Sequence, residues 1–408
     1  MSKIKNIFAR EISDSRENPA VEVELETEKG FFKASVPSGA STGKNEALEL
    51  RDEDGKGVSF AIKNVNEIIA KELKGKNPEY QKELDEIMIR LDGTENKSKL
   101  GANAILPVSM AIYRAGAASQ KLPLYEYIAQ MCEVGPRTLL RIPLASFNFI
   151  EGGAHALGRN NLDLQEFMAV PQEESFKANL IIANKIFENL KKIISESYGS
   201  DVAIGDEGGF APKISKSEQA LFLLKSAIAR QENVGIAVDA AASQFFRGGK
   251  YIIEGKESTR SDLVDFYRDL VERFPIISIE DPFDQEDWEG FKEIKRALPN
   301  IIIVADDLTT TNIKRIKEAH SKNACNGVIL KINQIGTVSE TIEAGKLAKE
   351  YGWKTIVSHR SGETMDTFIA DLAVGLGADF IKSGSPSQPE RMAKYSRLLE
   401  IENELLKK

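Results

Sequence analysis

Apolar and polar residues alternate strictly in one early stretch of the chain and cluster into unbroken apolar runs later, and the two patterns predict different kinds of sheet. Val21, Val23, Leu25 and Thr27 alternate with Glu22, Glu24, Glu26 and Glu28. A period of two sends the two sets to opposite faces, as in an antiparallel strand with one wet side. Lys29–Gly30 reads as a turn, and Phe31 to Val36 as the returning strand. Ser59 is placed to cap a helix whose apolar face carries Ile62, Val65, Ile68 and Ile69, and further helices are predicted near 79–90 and 103–119. These elements predict an α+β domain over residues 1–130, with a linker in Cys132–Arg137.

From Ile142 onward strands and helices are predicted to alternate. Six short apolar runs each end on a residue able to do chemistry: Gly235–Asp239, Ile276–Glu280, Ile301–Asp306, Gly327–Lys331, Thr355–His359 and Asp379–Lys382. Continuous apolar runs suit parallel strands buried on both faces. After the first interval they recur about every 25 residues, which fits one strand, one helix and two loops. Residues 138–408 are therefore predicted to form a (β/α)8 barrel, an α/β fold.

In such a barrel the C-terminal strand ends converge on one mouth. Asp239, Glu280, Asp306, Lys331, His359 and Lys382 would then ring one cavity. A single charged strand end means only that the strand meets solvent; a series of six points to a site. Three carboxylates followed by a lysine, a histidine and a lysine fit a divalent cation, a base and an anionic substrate. Hard oxygen ligands favour Mg²⁺ over Zn²⁺, with Asp239, Glu280 and Asp306 as the ligands. Asp281 and Asp307 stand one residue further on, so the pattern alone leaves the choice within each pair open. Lys331 is the candidate base, its pKa expected to be lowered by neighbouring cations and lysines.

Composition narrows the partners. A formal charge of −8 argues against nucleic acid as the main partner. Two cysteines cannot build a disulfide framework, which fits a reducing compartment. Met1–Asn6 leads into polar residues rather than an apolar signal segment, and no run approaches the roughly 20 apolar residues of a membrane span, so a cytoplasmic protein is expected.

Longer motifs sharpen this reading. They are Asp14-Ser-Arg-Glu-Asn-Pro19, Ser38-Gly-Ala-Ser-Thr-Gly43 with Glu46–Arg51, Gln165-Glu-Phe-Met168, Gly205-Asp-Glu-Gly-Gly-Phe-Ala-Pro212, Ile279-Glu-Asp-Pro282, Ala305-Asp-Asp-Leu308, Leu330–Gly336 and Val357–Thr364. Each is weak alone. In this order, over nearly the whole chain, they resemble the enolase family. The resemblance implies an Mg²⁺-dependent lyase that interconverts 2-phosphoglycerate with phosphoenolpyruvate and water. In that superfamily a lysine or histidine base works with one or two Mg²⁺. Carried over by motif, Lys331 is the base, and Glu166 with Glu207 the acid pair that helps hydroxide leave. Ser41 is a ligand of a second metal. Arg360 and Ser361 hold the phosphate and Lys382 the carboxylate, while His155 lies on a mobile loop near the phosphate. Gln165, Glu280, Asp306 and His359 complete the substrate-binding set. His320 falls outside every motif and is read as surface. Two rival readings are a divergent superfamily lyase or epimerase acting on another carboxylate, and a paralogue kept as a binding or scaffold protein.

The departures from the family pattern lie around this core. Glu17 replaces a usual glycine, Glu151 an asparagine, Gln244 and Met365 glutamates, and Glu400 an arginine. The loop from His155 to Glu166 is two residues longer than usual, which is expected to alter the placement of His155. In the family the C-terminal arginine pairs across a dimer with a glutamate matching Glu22. With Glu400 in its place, like charges would face each other, so a homo-oligomer with weakened dimer contacts is expected.

Overall fold

The alternating segment becomes the middle strand of a three-stranded antiparallel sheet. The structure, a computed structural model, describes residues 2–39, 42–135, 139–199 and 201–407. Strands β1 (Ile4–Ser13), β2 (Pro19–Thr27) and β3 (Gly30–Ser35) lie in that order. Val21, Val23 and Leu25 are fully buried, while the glutamates meet opposite charges across the register, Arg10 beside Glu22 and Lys33 beside Glu24. The helices Gln81–Asp92 and Ala102–Gln120 match the predicted positions.

The helix over 59–73 departs from expectation in two ways. Ser59 does not cap it. Asp52 does, accepting Ser59 N at 3.2 Å and Phe60 N at 3.1 Å, because a carboxylate offers an oxygen to each unpaired N–H. Ser59 Oγ instead donates to Asp52. A π turn at Val65–Ile69 inserts extra chain and rotates Ile68 outward, leaving it 39% exposed beside buried Val65 and Ile69.

The second half closes into an eight-stranded barrel. Its strands are β4 (Leu144–Glu151), β5 (Glu166–Pro171), β6 (Val234–Asp239), β10 (Ile276–Glu280), β11 (Ile302–Ala305), β12 (Gly327–Leu330), β13 (Lys354–Ser358) and β14 (Phe380–Lys382). A small separate sheet of β7 (Phe246–Arg247), β8 (Lys250–Ile253) and β9 (Lys256–Ser258) follows β6. Met168, Val170 and Ala237, and then Val304, Ile329 and Ile356, fill the barrel, while Ile303, Val328, Leu330 and Val357 face the surrounding core. One strand corrects the expected alternation. β5 runs antiparallel to both β4 and β6, and two helices, Phe176–Tyr198 and Ser217–Ile228, follow it in succession. Its N-terminal end therefore lies at the mouth where the other strands have their C-terminal ends.

The first domain docks on that mouth. Ser38 and Gly362 exchange backbone hydrogen bonds at 2.9 Å, Ser15 N donates to Glu363 O at 2.7 Å, and Arg114 pairs with Asp366 at 2.7 Å. Asp14 holds the docking turn by accepting the N–H groups of Arg16 and Asn18 at 2.8 and 2.9 Å. Within it Glu17 has φ 63°, left-handed backbone that costs an L-residue about 1 kcal/mol. Glycine tolerates this geometry but gives up more unfolded-state entropy. Glu17→Gly is therefore expected to stabilise the protein only modestly, by about 0.5 kcal/mol. Urea unfolding measures it, and a loss of stability would contradict the strain.

Glu22 is paired within the chain by Arg10 at 2.5 Å. Glu400 lies 3.0 Å from Arg397, but that cation is shared with Asp371 and Glu404, so negative charge remains there. No helix among the described residues is long and apolar enough to cross a membrane.

Candidate active site

The strand ends meet as the spacing predicted. Asp239 closes β6, Glu280 β10 and Lys382 β14, while Asp306, Lys331 and His359 each stand one residue past their strands. Glu166 opens antiparallel β5 opposite Asp239, which brings it to the same mouth. Lys382 Nζ sits at the centre, 3.1 Å from Asp239 Oδ2 and 3.0 Å from both Glu280 Oε2 and Glu166 Oε2. Lys331 pairs with Asp306, whose other oxygen accepts Gln334 Nε2 at 2.8 Å. His155 is buried with Nδ1 3.4 Å from Glu166 and 3.7 Å from Glu207, so the lengthened loop still delivers it to the site. Gln165 Nε2 reaches Asp239 Oδ2 at 3.2 Å. Ser361 lines the same cavity. Ser41, the expected ligand of a second metal, lies outside the described residues.

Burial and charge set the protonation of this ring. Burial and nearby Glu207 push the Glu166 carboxyl well above the usual range. Burial also opposes the charge on Glu207, but His359, His155 and Arg391 outweigh it and hold Glu207 well below. The two carboxylates thus divide into an acid and an ion. Lys331 behaves opposite to expectation. Burial and the neighbouring Arg360 and Lys382 disfavour its charge, yet Asp306 in direct contact outweighs them and raises its pKa. The ammonium is held charged by the nearest carboxylate. Arg360 also differs from a bare phosphate holder. Its fork is engaged by Glu46 at 2.8 and 3.3 Å and by Asn333 at 3.0 Å, so a phosphate would have to displace Glu46. The cavity is small, with about 30 Å³ open to the centres of water-sized spheres, room for only a few waters beside these ion pairs.

Comparison with known families matches this architecture in both parts. The model described as "Enolase, N-terminal domain" matches residues 4–128, and "Enolase, C-terminal TIM barrel domain" matches residues 139–408. The chain belongs to the enolase family. Membership brings the chemistry of enolase or its superfamily, in a metal-dependent family acting on small molecules.

The residues present fit a divalent cation. Six carboxyl groups line the cavity against three permanent cations, and burial with mutual repulsion raises the pKa of Glu166, Asp281 and Asp307, a crowding that a divalent cation would relieve. Burial and Asp239 push the Glu280 carboxyl up to about 8, and its buried Oε1 has no hydrogen-bond partner. Among the described residues two trios have ligand atoms within 4.8 Å of one another, His155 with Glu166 and Glu207, and Asp281 with Asp306 and Asp307. The expected ligands Asp239, Glu280 and Asp306 are not drawn together this closely, and Lys382 Nζ stands between the first two. The Asp281 trio adjoins them. In that trio, however, both oxygens of Asp281 already accept backbone N–H groups, from Asp306 at 2.9 Å and Asp307 at 2.8 Å. Asp281 is thereby engaged in shaping the turn that aims Asp306.

Three supporting residues escaped the strand-end pattern. Glu151 ends β4 buried, accepting the N–H of Glu207 at 3.1 and 3.2 Å and of Gly209 at 2.6 Å. Gln244 accepts Ala154 N at 2.9 Å and donates to Gln165, tying the His155 loop toward Asp239. An amide does both at once, where an ionised glutamate could only accept. Arg391, fully buried in the C-terminal helix Pro389–Leu406, reaches the loops carrying Glu207 and His359. Glu151 could have been found as a strand-end carboxylate; Arg391 carried no such signal. His320 stacks on Tyr351 away from the site.

Proposed function

We propose that this chain is a phosphopyruvate hydratase, converting 2-phosphoglycerate reversibly to phosphoenolpyruvate and water. One observation carries the reading. Lys331, the lysine paired with a single carboxylate, shares a buried mouth with a carboxylic acid pair of divided protonation, Glu166 and Glu207, and with the carboxylates Asp239, Glu280 and Asp306. A reaction that takes a proton from one carbon and loses hydroxide from the next needs both a base and an acid.

Asp239, Glu280 and Asp306 would hold Mg²⁺, with Ser41 on a second ion. Bound there, the metal supplies positive charge for the substrate carboxylate, whose neighbouring proton is otherwise barely acidic. Once its pairing with Asp306 is relieved, Lys331 gives its ammonium proton to solvent, and the free Nζ amine takes the proton from carbon 2. Glu166, holding the pair's proton, delivers it to the hydroxyl leaving carbon 3. Arg360, released from Glu46, and Ser361 bind the phosphate. His155, Gln165, His359 and Lys382 orient the substrate. The barrel, 138–408, carries this chemistry, and domain 1–130 supplies the glycine-rich loop. We read the protein as a homo-oligomer.

The test follows absorbance of phosphoenolpyruvate formed from 2-phosphoglycerate, with Mg²⁺ and with chelator. Turnover present with Mg²⁺ and abolished by chelation is expected. A folded protein that binds Mg²⁺ yet shows no turnover would sink the assignment and favour another carboxylate substrate.

A further inference from the structure

Arg391 is fully buried and, among the described residues, pairs with no carboxylate. A buried guanidinium must place all its N–H groups, and here each has an acceptor. Nε donates to Gln388 Oε1 at 3.3 Å. Nη2 donates to Asp206 O at 3.1 Å and Ser361 O at 2.6 Å. Nη1 donates to Arg360 O at 2.6 Å and approaches His359 Nδ1 at 2.6 Å. Three backbone carbonyls, one side-chain amide and one imidazole nitrogen thus fix the guanidinium, and through it the two loops that carry Glu207 and His359.

The contact with His359 has a chemical consequence. A guanidinium can only donate, so Nδ1 must accept and carries no proton. The proton of the neutral ring then sits on Nε2, which lies 3.2 Å from Glu207 Oε2 but outside hydrogen-bond geometry, so this N–H faces the mouth without a partner among the described residues. Glu207 Oε2 accepts Asn148 Nδ2 at 3.1 Å instead. We propose that Arg391 is a positioning residue that locks His359 as a neutral Nε2–H donor toward the acid pair, unable to take up a second proton while Arg391 occupies Nδ1. The charged groups facing the ring are Glu207, Arg391 and Lys382, and burial together with Arg391 pushes the ring down to about 3 against the pull of Glu207. His359 thus presents a fixed N–H to the cavity rather than carrying a proton. The tautomer stands on geometry alone; its catalytic consequence rests on the hydratase reading.

The protein has three histidines, so ¹⁵N-histidine NMR of the intact chain resolves them, with His155→Asn and His320→Asn for assignment. We expect His359 to show an unprotonated Nδ1 and a protonated Nε2, unchanged from about pH 5 to 8, where a free imidazole titrates. A protonated Nδ1, or titration within that range, overturns the proposal whatever the protein's activity. Arg391→Met is expected to release Nδ1, so that His359 titrates and kcat falls about tenfold per pH unit on the acid side with KM little changed. Should Arg391→Met fold and turn over with the wild-type pH profile, positioning is refuted. Should it fail to fold, the NMR of the wild-type chain still decides the tautomer. Absent turnover on 2-phosphoglycerate by the wild type would count against the hydratase reading and leave the NMR outcome standing.

Discussion

Lys331→Ala is expected to lower turnover of 2-phosphoglycerate at least about 10³-fold, with the protein still folded and still binding Mg²⁺. The argument compares the two lysines at the mouth. Lys382 is held by Asp239, Glu166 and Glu280 together, so its proton is fixed and raised well out of the working range. Lys331 draws its charge chiefly from Asp306, the one carboxylate in contact, with Glu280 adding to it from farther off, while burial, Arg360 and Lys382 all oppose it. Relief of that single contact leaves an amine crowded by cations, which is the condition for a base near neutral pH. The two substitutions should therefore differ in kind. Lys331→Ala should act on kcat, since it removes proton transfer. Lys382→Ala should act mainly on KM, since it removes a charge from the substrate's side. Steady-state kinetics on both variants, with melting curves to confirm folding, separates these outcomes. If Lys331→Ala kept more than about a tenth of wild-type kcat, the base would have to be sought elsewhere.

Strand ends were legible because chemistry and geometry share a period. A buried parallel strand reads as an unbroken apolar run, and the residue after it is obliged to face the mouth. That obligation brought Asp239, Glu280, Asp306, Lys331, His359 and Lys382 together without any reference to a family. The direction of β5 was not legible, since Phe167–Val170 is equally apolar read either way. Glu166 and Glu207 could be assigned only by resemblance. The first begins its strand rather than ending it, and the second sits in a loop whose path is set by Glu151. Arg391 lies among charged residues in Pro389–Leu406 and reads as solvated surface; only the return of that helix against the barrel buries it. The pKa of Lys331 was expected to fall because cations were counted and the nearest carboxylate was not. Contact at hydrogen-bond range with Asp306 outweighs more distant like charges, and no spacing in the sequence conveys such a distance.

Glu151→Ala should be the most damaging substitution outside the ring itself, costing about 3 kcal/mol of stability and lowering kcat about 10²-fold. Glu151 is fully buried, and its carboxylate is the acceptor for the N–H of both Glu207 and Gly209. Truncation would leave two buried donors unbonded and open a void beneath the loop. That loop is shaped to the glutamate. A Cβ on Gly205 would lie 2.2 Å from Glu151 Oε2 and one on Gly209 2.9 Å from Oε1, so only glycine permits the approach. Loss of the contact frees the backbone of Glu207 and with it the geometry of the acid pair. Glu151→Gln separates charge from shape, since it keeps the length and one acceptor. Burial and Glu207 raise the Glu151 carboxyl well above its ordinary range. The folded protein therefore keeps a proton that the unfolded chain loses above about pH 4.3. Stability should fall as pH rises from there toward the folded pKa, and this component should vanish in Glu151→Gln, which cannot ionise. Urea unfolding of both proteins across that range tests the sign. A stability profile of the same slope in Glu151→Gln would place the carboxyl's charge, and its coupling to Glu207, outside the energetics of the site.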